Sequence, residues 1–363
     1  MEKTVRREKT KIKDKSMSLF GTPAPATFTL GVPSSKLSDK ASQNTTDGLI
    51  PSTSVSSTEN AEKKENPVLR FPAVLPDSPR MESPWRKVQW TDEQRTALMD
   101  RISSYRPSCE EVTRAQVLLL GPVGSGKSSF ISSVQSVFNG RVVNRAMVGC
   151  STPSTSFTKK LQSFSIRGQK GEGLAGLALY DIMGLGDGDM TGLTLHDILA
   201  VIKGHAPDGH KFSSAHPLSS DIVGYVKRPS LKDKIHCVAF VVDASKILTY
   251  PKGLSAIFQQ LREHISDLGV HQVALLTHID KICPQTAKDV CQVYKSKVIR
   301  DMINKAGALL GMSTSYIVPV KNYSSELDLD VNTDLLLLSA VDHILQYSDL
   351  YFLDNAEQTQ LKL

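Results

Sequence analysis

The chain has 363 residues and a formal net charge of +6, with 40% hydrophobic and 22% charged residues, enough for a substantial core in one large domain or two ordinary ones. No apolar stretch approaches the roughly 18 residues of a membrane span, and no apolar segment follows the basic amino end, so we expect neither secretion nor membrane insertion. The five cysteines are dispersed without a Cys-x-x-Cys pair, which favours reduced thiols in the cytoplasm.

The first segment, residues 1–84, is predicted to be a disordered arm because it is rich in Ser, Thr, Pro, Ala and Lys and has few aromatic residues. Its first 15 residues hold seven Lys or Arg and three acids. We interpret this run as a solvated tail, without direct contact to nucleic acid, because acids interrupt it and no aromatic residue interleaves it. The folded domain is predicted to span residues 85–350, followed by a C-terminal tail at 351–363.

Short apolar runs alternate with amphipathic segments from Gln116 onward, after a helix predicted to begin near Thr91. This alternation predicts an α/β fold of the P-loop NTPase, G-domain-like class, with a mainly parallel six-stranded sheet and helices on both faces. The predicted strands are Gln116–Leu120, Leu161–Arg167, Leu177–Tyr180, His236–Val242, Val273–Thr277 and Tyr316–Val320. The predicted helices of this part are Lys127–Phe138, Leu193–Lys203, Leu254–Leu268, Thr286–Leu310 and Thr333–Gln346.

The stretch GPVGSGKS, residues 121–128, matches the phosphate-binding pattern Gly-x-x-x-x-Gly-Lys-Ser and lies between a predicted strand and a predicted helix. Backbone N–H groups of residues 124–127 are expected to surround phosphate oxygens at the positive end of the helix. Lys127 is expected to face solvent and reach the β- and γ-phosphates, and the Ser128 hydroxyl to ligate Mg²⁺. The predicted phosphate-binding residues are Gly121, Gly124, Ser125, Gly126, Lys127, Ser128, Ser129 and Gly184.

A second element, DIMGL at residues 181–185, follows an apolar run and has the Asp-x-x-Gly pattern of guanine-nucleotide-binding proteins. Asp181 is expected to hold Mg²⁺ through water, and the Gly184 N–H to sense the γ-phosphate. The preceding stretch GCSTPSTSFTKK is expected to be a switch loop from which Thr155 or Thr158 reaches Mg²⁺. The predicted metal set is Ser128, Asp181 and Thr155, although the sequence does not decide between the two threonines.

The third element, Thr277-His278-Ile279-Asp280, follows a buried strand and resembles the guanine-reading pattern Asn/Thr-Lys-x-Asp. The Asp280 carboxylate is expected to accept hydrogen bonds from guanine N1–H and the exocyclic amine, a pair of donors that adenine lacks. His278 replaces the lysine and lacks its aliphatic stem, which predicts weaker nucleotide binding. After the sixth strand, Ser324 and its neighbours occupy the place of a loop N–H that contacts guanine O6. The predicted guanine-binding residues are Thr277, His278, Asp280 and Ser324.

These motifs, in this order, resemble the interferon-induced protein 44 family over about residues 85–350, most specifically in SLKDKIHCVAFVVDAS and VALLTHID. The resemblance implies a cytoplasmic, interferon-inducible, guanine-nucleotide-binding protein with antiviral and antiproliferative associations. It assigns the nucleotide site to Gly121, Gly126, Lys127, Ser128, Asp181, Gly184, Thr277 and Asp280. Full-length members have a folded N-terminal TLDc-type domain where this chain has the predicted arm, so the functions of that domain are not carried over.

Three functions follow from these observations. The leading one is a guanine-nucleotide switch in innate antiviral defence that binds GTP or GDP with Mg²⁺, self-associates on binding, and hydrolyses GTP slowly at most. Slow hydrolysis is expected because Leu185 stands where Ras-like proteins carry the Gln that orients the attacking water. An ATP-binding P-loop enzyme is the first alternative, and it leaves Asp280 without a role. A non-enzymatic scaffold with a degenerate nucleotide site is the second, favoured by the missing lysine at 278. Protein partners are not identified.

Overall fold

A six-stranded sheet forms the centre of the structure. The computed structural model describes residues 80–143, 158–168, 173–186, 193–213 and 216–360, so the predicted arm lies outside the described residues except for 80–84. The strands are β1 (Ala115–Leu120), β2 (Gln162–Arg167), β3 (Leu174–Asp181), β4 (Cys237–Asp243), β5 (His271–Thr277) and β6 (Ile317–Pro319). All six predicted strands are therefore confirmed, with ends shifted by a few residues.

The strand order is β2-β3-β1-β4-β5-β6, and only β2 pairs antiparallel with its neighbour. The prediction of a mainly parallel six-stranded sheet is confirmed. Because five strands run in the same direction, their carboxyl ends meet at one edge of the sheet, where ligands bind in open α/β sheets. The antiparallel β2 brings its amino end to this same edge, with Gln162 opposite Asp181.

Helices cover the sheet, and every residue of β4 is buried, as expected for a parallel strand covered on both faces. One group, α1, α2 and α8, packs together, and a second group, α3, α4 and α7, packs together against the sheet. The helices are α1 (Asp92–Ser104), α2 (Lys127–Asn139), α3 (Leu195–Ile202), α4 (Lys252–Asp267), α5 (Ile279–Ile282), α6 (Pro284–Lys288), α7 (Lys297–Leu310) and α8 (Val331–Gln360).

The helix predicted near Thr91 is confirmed as α1, because the Thr91 side chain accepts a hydrogen bond from the Gln94 N–H and caps the helix. The prediction of a single helix over Thr286–Leu310 is wrong. The chain there forms α6, then a 3₁₀ helix from Val290 to Lys295, and then α7. The side chains of Asp289 and Ser296 accept from the N–H groups of Cys291 and Ile299, and such local bonds end one helix and start the next.

The prediction of a C-terminal tail at 351–363 is also wrong over most of that range, because α8 continues to Gln360 instead of ending near Gln346. Tyr351 and Phe352 are buried, with relative exposures of 3% and 2%, and both rings contact the ring of His236. Burial of these two aromatic rings stabilises the extra turns of the helix. At the other end, Asp330 accepts from the Thr333 N–H and caps α8.

Candidate nucleotide-binding site

The predicted phosphate loop lies at the carboxyl edge of the sheet, between the end of β1 and the start of α2. Gly126 is the residue before α2 and has a φ of 95°, a left-handed conformation that glycine adopts without strain. Ser129 lies half-buried on the first turn of α2. The first N–H groups of a helix have no partner within the helix, so the loop presents donors where an anion would bind.

Lys127 is buried, with a relative exposure of 7%, so the expectation that it faces solvent is wrong. Its ammonium donates to the carbonyl oxygens of Gly121, at 2.9 Å, and Pro122, at 3.1 Å. Burial lowers the Lys127 pKa to about 8, against the opposing effect of the nearby Asp181 carboxylate. The loop therefore folds around its own lysine, which holds the ammonium in place at the phosphate position.

Two hydroxyls and one carboxylate meet beside this lysine. The Ser128 hydroxyl donates to Asp181 Oδ2 at 2.6 Å, and the Thr158 hydroxyl donates to the same oxygen at 3.2 Å. The Ser128 and Thr158 hydroxyl oxygens lie 3.3 Å apart. Thr158 reaches this cluster because it precedes β2, whose amino end lies at the nucleotide edge. Thr155, the threonine of the predicted metal set, lies outside the described residues.

The Asp181 carboxylate suits a hard cation such as Mg²⁺. It is buried, and its Oδ1 atom accepts no hydrogen bond from the part of the chain that the structure describes, so this oxygen suits a cation or its water. Burial raises the Asp181 pKa, while Lys127 and the Ser128 hydroxyl lower it. Among the described residues no three His, Cys, Asp or Glu side chains form a metal site. The carboxylate and hydroxyl oxygens of Asp181, Ser128 and Thr158 are of the type that Mg²⁺ prefers.

The segment after β3 lies directly on the phosphate loop. Leu185 donates its N–H to the Gly121 carbonyl at 3.0 Å, and its carbonyl accepts from the Val123 N–H at 3.1 Å. Gly184 allows this approach, because a Cβ atom there would lie 2.7 Å from the Val123 Cα. The Leu185 side chain is buried. Gly184 therefore lies against the predicted phosphate loop.

The predicted base-reading turn, residues 277–280, is attached to the predicted phosphate loop, residues 121–128, through Thr277. The buried Thr277 hydroxyl donates to the Ser125 carbonyl oxygen at 2.6 Å. A Cβ atom on Gly126 would lie 3.4 Å from Thr277 Cγ2 and 3.5 Å from His278 Cε1. Asp280 is half-buried on α5, and it makes no hydrogen bond or ion pair to other residues that the structure describes. Its carboxylate therefore remains available to a base.

His278 points into the protein. It has a φ of 55°, and it is the one non-glycine residue of the described ranges with a positive φ. Its Nδ1 lies 3.0 Å from the Thr277 hydroxyl oxygen and 3.4 Å from Asp243 Oδ2. The Thr277 hydroxyl also has the Val242 carbonyl oxygen at 3.1 Å, so two backbone acceptors compete with Nδ1 for its single proton. Burial lowers the His278 pKa and outweighs the attraction of Asp243, so the ring is neutral at neutral pH.

In the loop after β6, Asn322 contacts the phosphate loop, whereas the predicted residue, Ser324, contacts Glu326. The Ser324 N–H donates to Glu326 Oε2 at 2.7 Å, and Ser324 is exposed. Asn322 instead lies on the phosphate loop, where its side-chain Nδ2 donates to the Gly126 carbonyl at 3.2 Å. Burial raises the pKa of Glu326, but hydrogen bonds from Ser324 and Lys321 outweigh it and lower this pKa to about 2. The Ser324 N–H is thus engaged, and Asn322 lies at Gly126, which Thr277 and His278 also approach.

Sequence reasoning missed Asp243 and Lys246, which follow β4 at the same edge. Asp243 is buried and accepts from the N–H and hydroxyl of Ser245, at 2.9 and 2.7 Å. Lys246 Nζ lies 3.8 Å from the other Asp243 oxygen. The signal was present in FVVDAS, because an acid that ends a continuous apolar run marks the carboxyl end of a buried strand. Asn322 lay within the predicted loop but was not chosen.

No family model matches the chain. Human interferon-induced protein 44 is 36% identical to it over 264 residues, which cover 73% of this chain and 59% of that protein. The chain is a homologue of interferon-induced protein 44. Human interferon-induced protein 44-like is 36% identical over 258 residues, 71% of this chain and 56% of that one, and mouse interferon-induced protein 44 is 36% identical over 248 residues, 68% and 58%. The chain thus spans less than two thirds of the length of these relatives.

Solved structures with a similar fold include Toc33 from Arabidopsis thaliana in complex with GDP and Mg²⁺, at a TM-score of 0.39 and 16% identity over 70% of this chain and 90% of that one. Era in complex with MgGDPNP and a segment of 16S ribosomal RNA has a TM-score of 0.32 and 16% identity, over 64% of this chain and 56% of that one.

No helix among the described residues is long and apolar enough to span a membrane.

Proposed function

We propose that the chain binds GTP or GDP with Mg²⁺ as a slowly hydrolysing, self-associating switch of interferon-induced innate antiviral defence in the cytoplasm. One observation carries nucleotide binding. The phosphate loop, the hydroxyl–carboxylate cluster and the base-reading turn lie at one sheet edge. Three buried polar atoms there lack partners among the residues that the structure describes: Ser125 Oγ, Asp181 Oδ1 and Asn322 Oδ1. Buried polar atoms are normally paired, so a polar ligand is expected here. The role in defence rests on the names of the relatives.

Each group of the cluster has a role toward the phosphates. Lys127, which lies against two loop carbonyls, would give its ammonium protons to phosphate oxygens. Ser128 and Thr158 would supply hydroxyl oxygens to Mg²⁺, and Asp181 would hold the ion through water. The Mg²⁺ ion, when bound, neutralises phosphate charge. Gly184 would offer its N–H to the γ-phosphate once the Leu185 bridge to the loop opens.

Guanine selectivity is assigned to Asp280. Its carboxylate makes no hydrogen bond to the described residues, and the turn that carries it abuts the phosphate loop at Gly126. Two parallel acceptor oxygens match the two donors of guanine, whereas adenine would leave a half-buried charge unpaired. An ATP-binding enzyme is disfavoured for this reason. Because the Ser324 N–H is engaged by Glu326, we assign the contact with the purine edge at this side to Asn322 rather than Ser324.

One observation favours the scaffold with a degenerate site. His278 is neutral and turned toward Asp243, so position 278 provides no cation to the nucleotide. Titration of the full chain with fluorescent GDP, GTP and ADP, with and without Mg²⁺, separates the candidates. The proposed function requires saturable guanine-nucleotide binding that exceeds ADP binding at least tenfold. No binding of any of the three would overturn the proposed function in favour of the scaffold, and equal binding of ADP would overturn guanine selectivity.

The variant Asp280→Asn tests the assigned selectivity. We expect GDP to bind about tenfold more weakly or worse, because an amide cannot accept from both guanine donors. Xanthosine diphosphate should gain affinity, because xanthine presents the complementary pattern. Asp267→Asn, at the end of α4, removes the same charge away from the nucleotide edge and is the matched control. Unchanged GDP affinity in Asp280→Asn would remove Asp280 from the base site.

A further inference from the structure

The turn after β4 places a second lysine at the phosphate loop. A Cβ atom built on Gly124 would lie 3.4 Å from Lys246 Nζ, so this ammonium touches the apex of the loop. The Lys246 side chain is 49% exposed, and the nearest carboxylate oxygen, Asp243 Oδ2, lies 3.8 Å away. That distance is too long for a hydrogen bond. Toward the described residues, the Lys246 ammonium therefore has three hydrogens without an acceptor.

The pairing of β4 with β5 explains why this lysine lies beside the base-reading turn. Asp243 is opposite Thr277 in the parallel register, so the residues that follow each strand are neighbours. His278 Nδ1 and Lys246 Nζ lie 3.4 and 3.8 Å from the same Asp243 oxygen, Oδ2. His278 is turned inward and neutral, whereas Lys246 is charged and directed at the loop. Position 278, after β5, therefore lacks a cation, and Lys246, after β4, supplies one at the same edge of the sheet.

We propose that Lys246 is a nucleotide-contacting residue that provides, from the end of β4, the ammonium and aliphatic stem that the Asn/Thr-Lys-x-Asp pattern places at position 278. This assignment rests on the proposed guanine-nucleotide function. The ligand class is a guanine nucleoside di- or triphosphate. Lys246 lies beside Gly124 and shares Asp243 with His278, so we assign its contact to the part that GDP and GTP share.

A structural role for the Lys246–Asp243 pair is the competing explanation. The Lys246 side chain is 49% exposed and its charge is screened by water, and at 3.8 Å its ammonium makes no hydrogen bond to the buried Asp243 carboxylate, so the pair contributes little to stability. Asp243 also does not need this lysine, since its other oxygen accepts two hydrogen bonds from Ser245. Removal of the Lys246 ammonium should therefore leave folding unchanged and weaken nucleotide binding.

The test compares Lys246→Ala with Lys252→Ala in the full chain, by titration with fluorescent GDP and GTP and by thermal unfolding. Lys252 is the exposed first residue of α4, in the same connection, and its removal changes the net charge equally. We expect Lys246→Ala to bind both nucleotides about tenfold more weakly, the loss of one charge-assisted contact, with an unchanged melting temperature. Lys252→Ala should bind like the native chain.

The double variant Lys246→Ala, His278→Lys returns the cation to position 278 and should recover affinity to within about threefold of native. Equal GDP affinity of Lys246→Ala and Lys252→Ala, or a loss that the double variant fails to recover, would overturn the assignment of Lys246. If the native chain binds GDP, neither of these results contradicts the proposed function. Absence of GDP binding by the native chain would overturn both.

Discussion

The hydroxyl of Thr277 and the carbonyl oxygen of Ser125 lie 2.6 Å apart, although 152 residues separate them in the chain. This bond joins the turn that is proposed to read the base to the loop that is proposed to hold the phosphates. The distance between the two ends of the nucleotide is thereby set within the protein before any ligand arrives.

Loss of this bond should affect folding and binding together. In Thr277→Val the buried Ser125 carbonyl loses its side-chain donor, which we expect to lower the free energy of unfolding by about 1–3 kcal/mol. GDP affinity should also fall, because the base turn is no longer fixed to the loop. Denaturant unfolding and GDP titration measure both effects. Thr277→Ser keeps the hydroxyl and is the control, and equal stability of the two variants would contradict the prediction.

The position of Thr158 predicts which threonine serves magnesium. Because its hydroxyl lies 3.3 Å from that of Ser128, Thr158→Ala should raise the Mg²⁺ concentration needed for half-maximal GTP binding by about tenfold, a loss of one ligand interaction. Thr155→Ala is the comparison variant from the same loop. If Thr155→Ala shows the increase and Thr158→Ala does not, Thr155 is the ligand and the contact of Thr158 belongs to the nucleotide-free protein only.

The buried Lys127 predicts an unusual titration. Its pKa of about 8 lies below the ordinary value of 10.5, so burial of its charge costs stability below pH 8, and this cost falls as the pH rises from 8 to 10.5. A bound phosphate favours the charged form and should raise this pKa. The side-chain ¹³C shift of Lys127, assigned by its absence in Lys127→Arg, should titrate near pH 8 without nucleotide and higher with GDP and Mg²⁺. A midpoint near 10.5 in the free protein would contradict the predicted burial.

Hydrolysis is expected to be slow because the apolar Leu185 is buried and cannot orient water. Ras without its activating protein turns over at about 3–5 × 10⁻⁴ s⁻¹, and the isolated chain should lie near that rate. Single-turnover measurement with radiolabelled GTP at several protein concentrations checks this and detects any acceleration by self-association. A rate above about 1 s⁻¹ at the lowest concentration would show a catalytic group within the chain.

The sheet and the nucleotide motifs were predictable because both depend on local sequence. Buried parallel strands read as continuous apolar runs, and the residues from Gly121 to Ser128 require one backbone path around phosphate. The burial of Lys127 was not predictable, because it depends on carbonyls of a loop that folds back over the lysine. The engagement of Ser324 was also not predictable, because its N–H donates to the side chain of a glutamate two residues later.

Residues beyond the motifs were missed where their function depends on strand pairing. Lys246 has no spacing relation to the phosphate loop, and only the register of β4 with β5 brings it beside His278. The length of α8 was underestimated because the packing partner of its later turns is distant in the sequence. Tyr351 and Phe352 are buried by the ring of His236, a residue more than one hundred positions away.

The direction of α8 has a practical consequence for measurements on this chain. The helix begins beside the loop that follows β6, and the residues from Val331 to Tyr351, at about 1.5 Å each, carry it roughly 30 Å to the amino end of β4, where His236 lies. A dye or fusion partner attached at the exposed Leu353 is thus remote from the nucleotide and should leave its binding undisturbed. Such a label would report on assembly of chains independently of the fluorescence of a bound nucleotide.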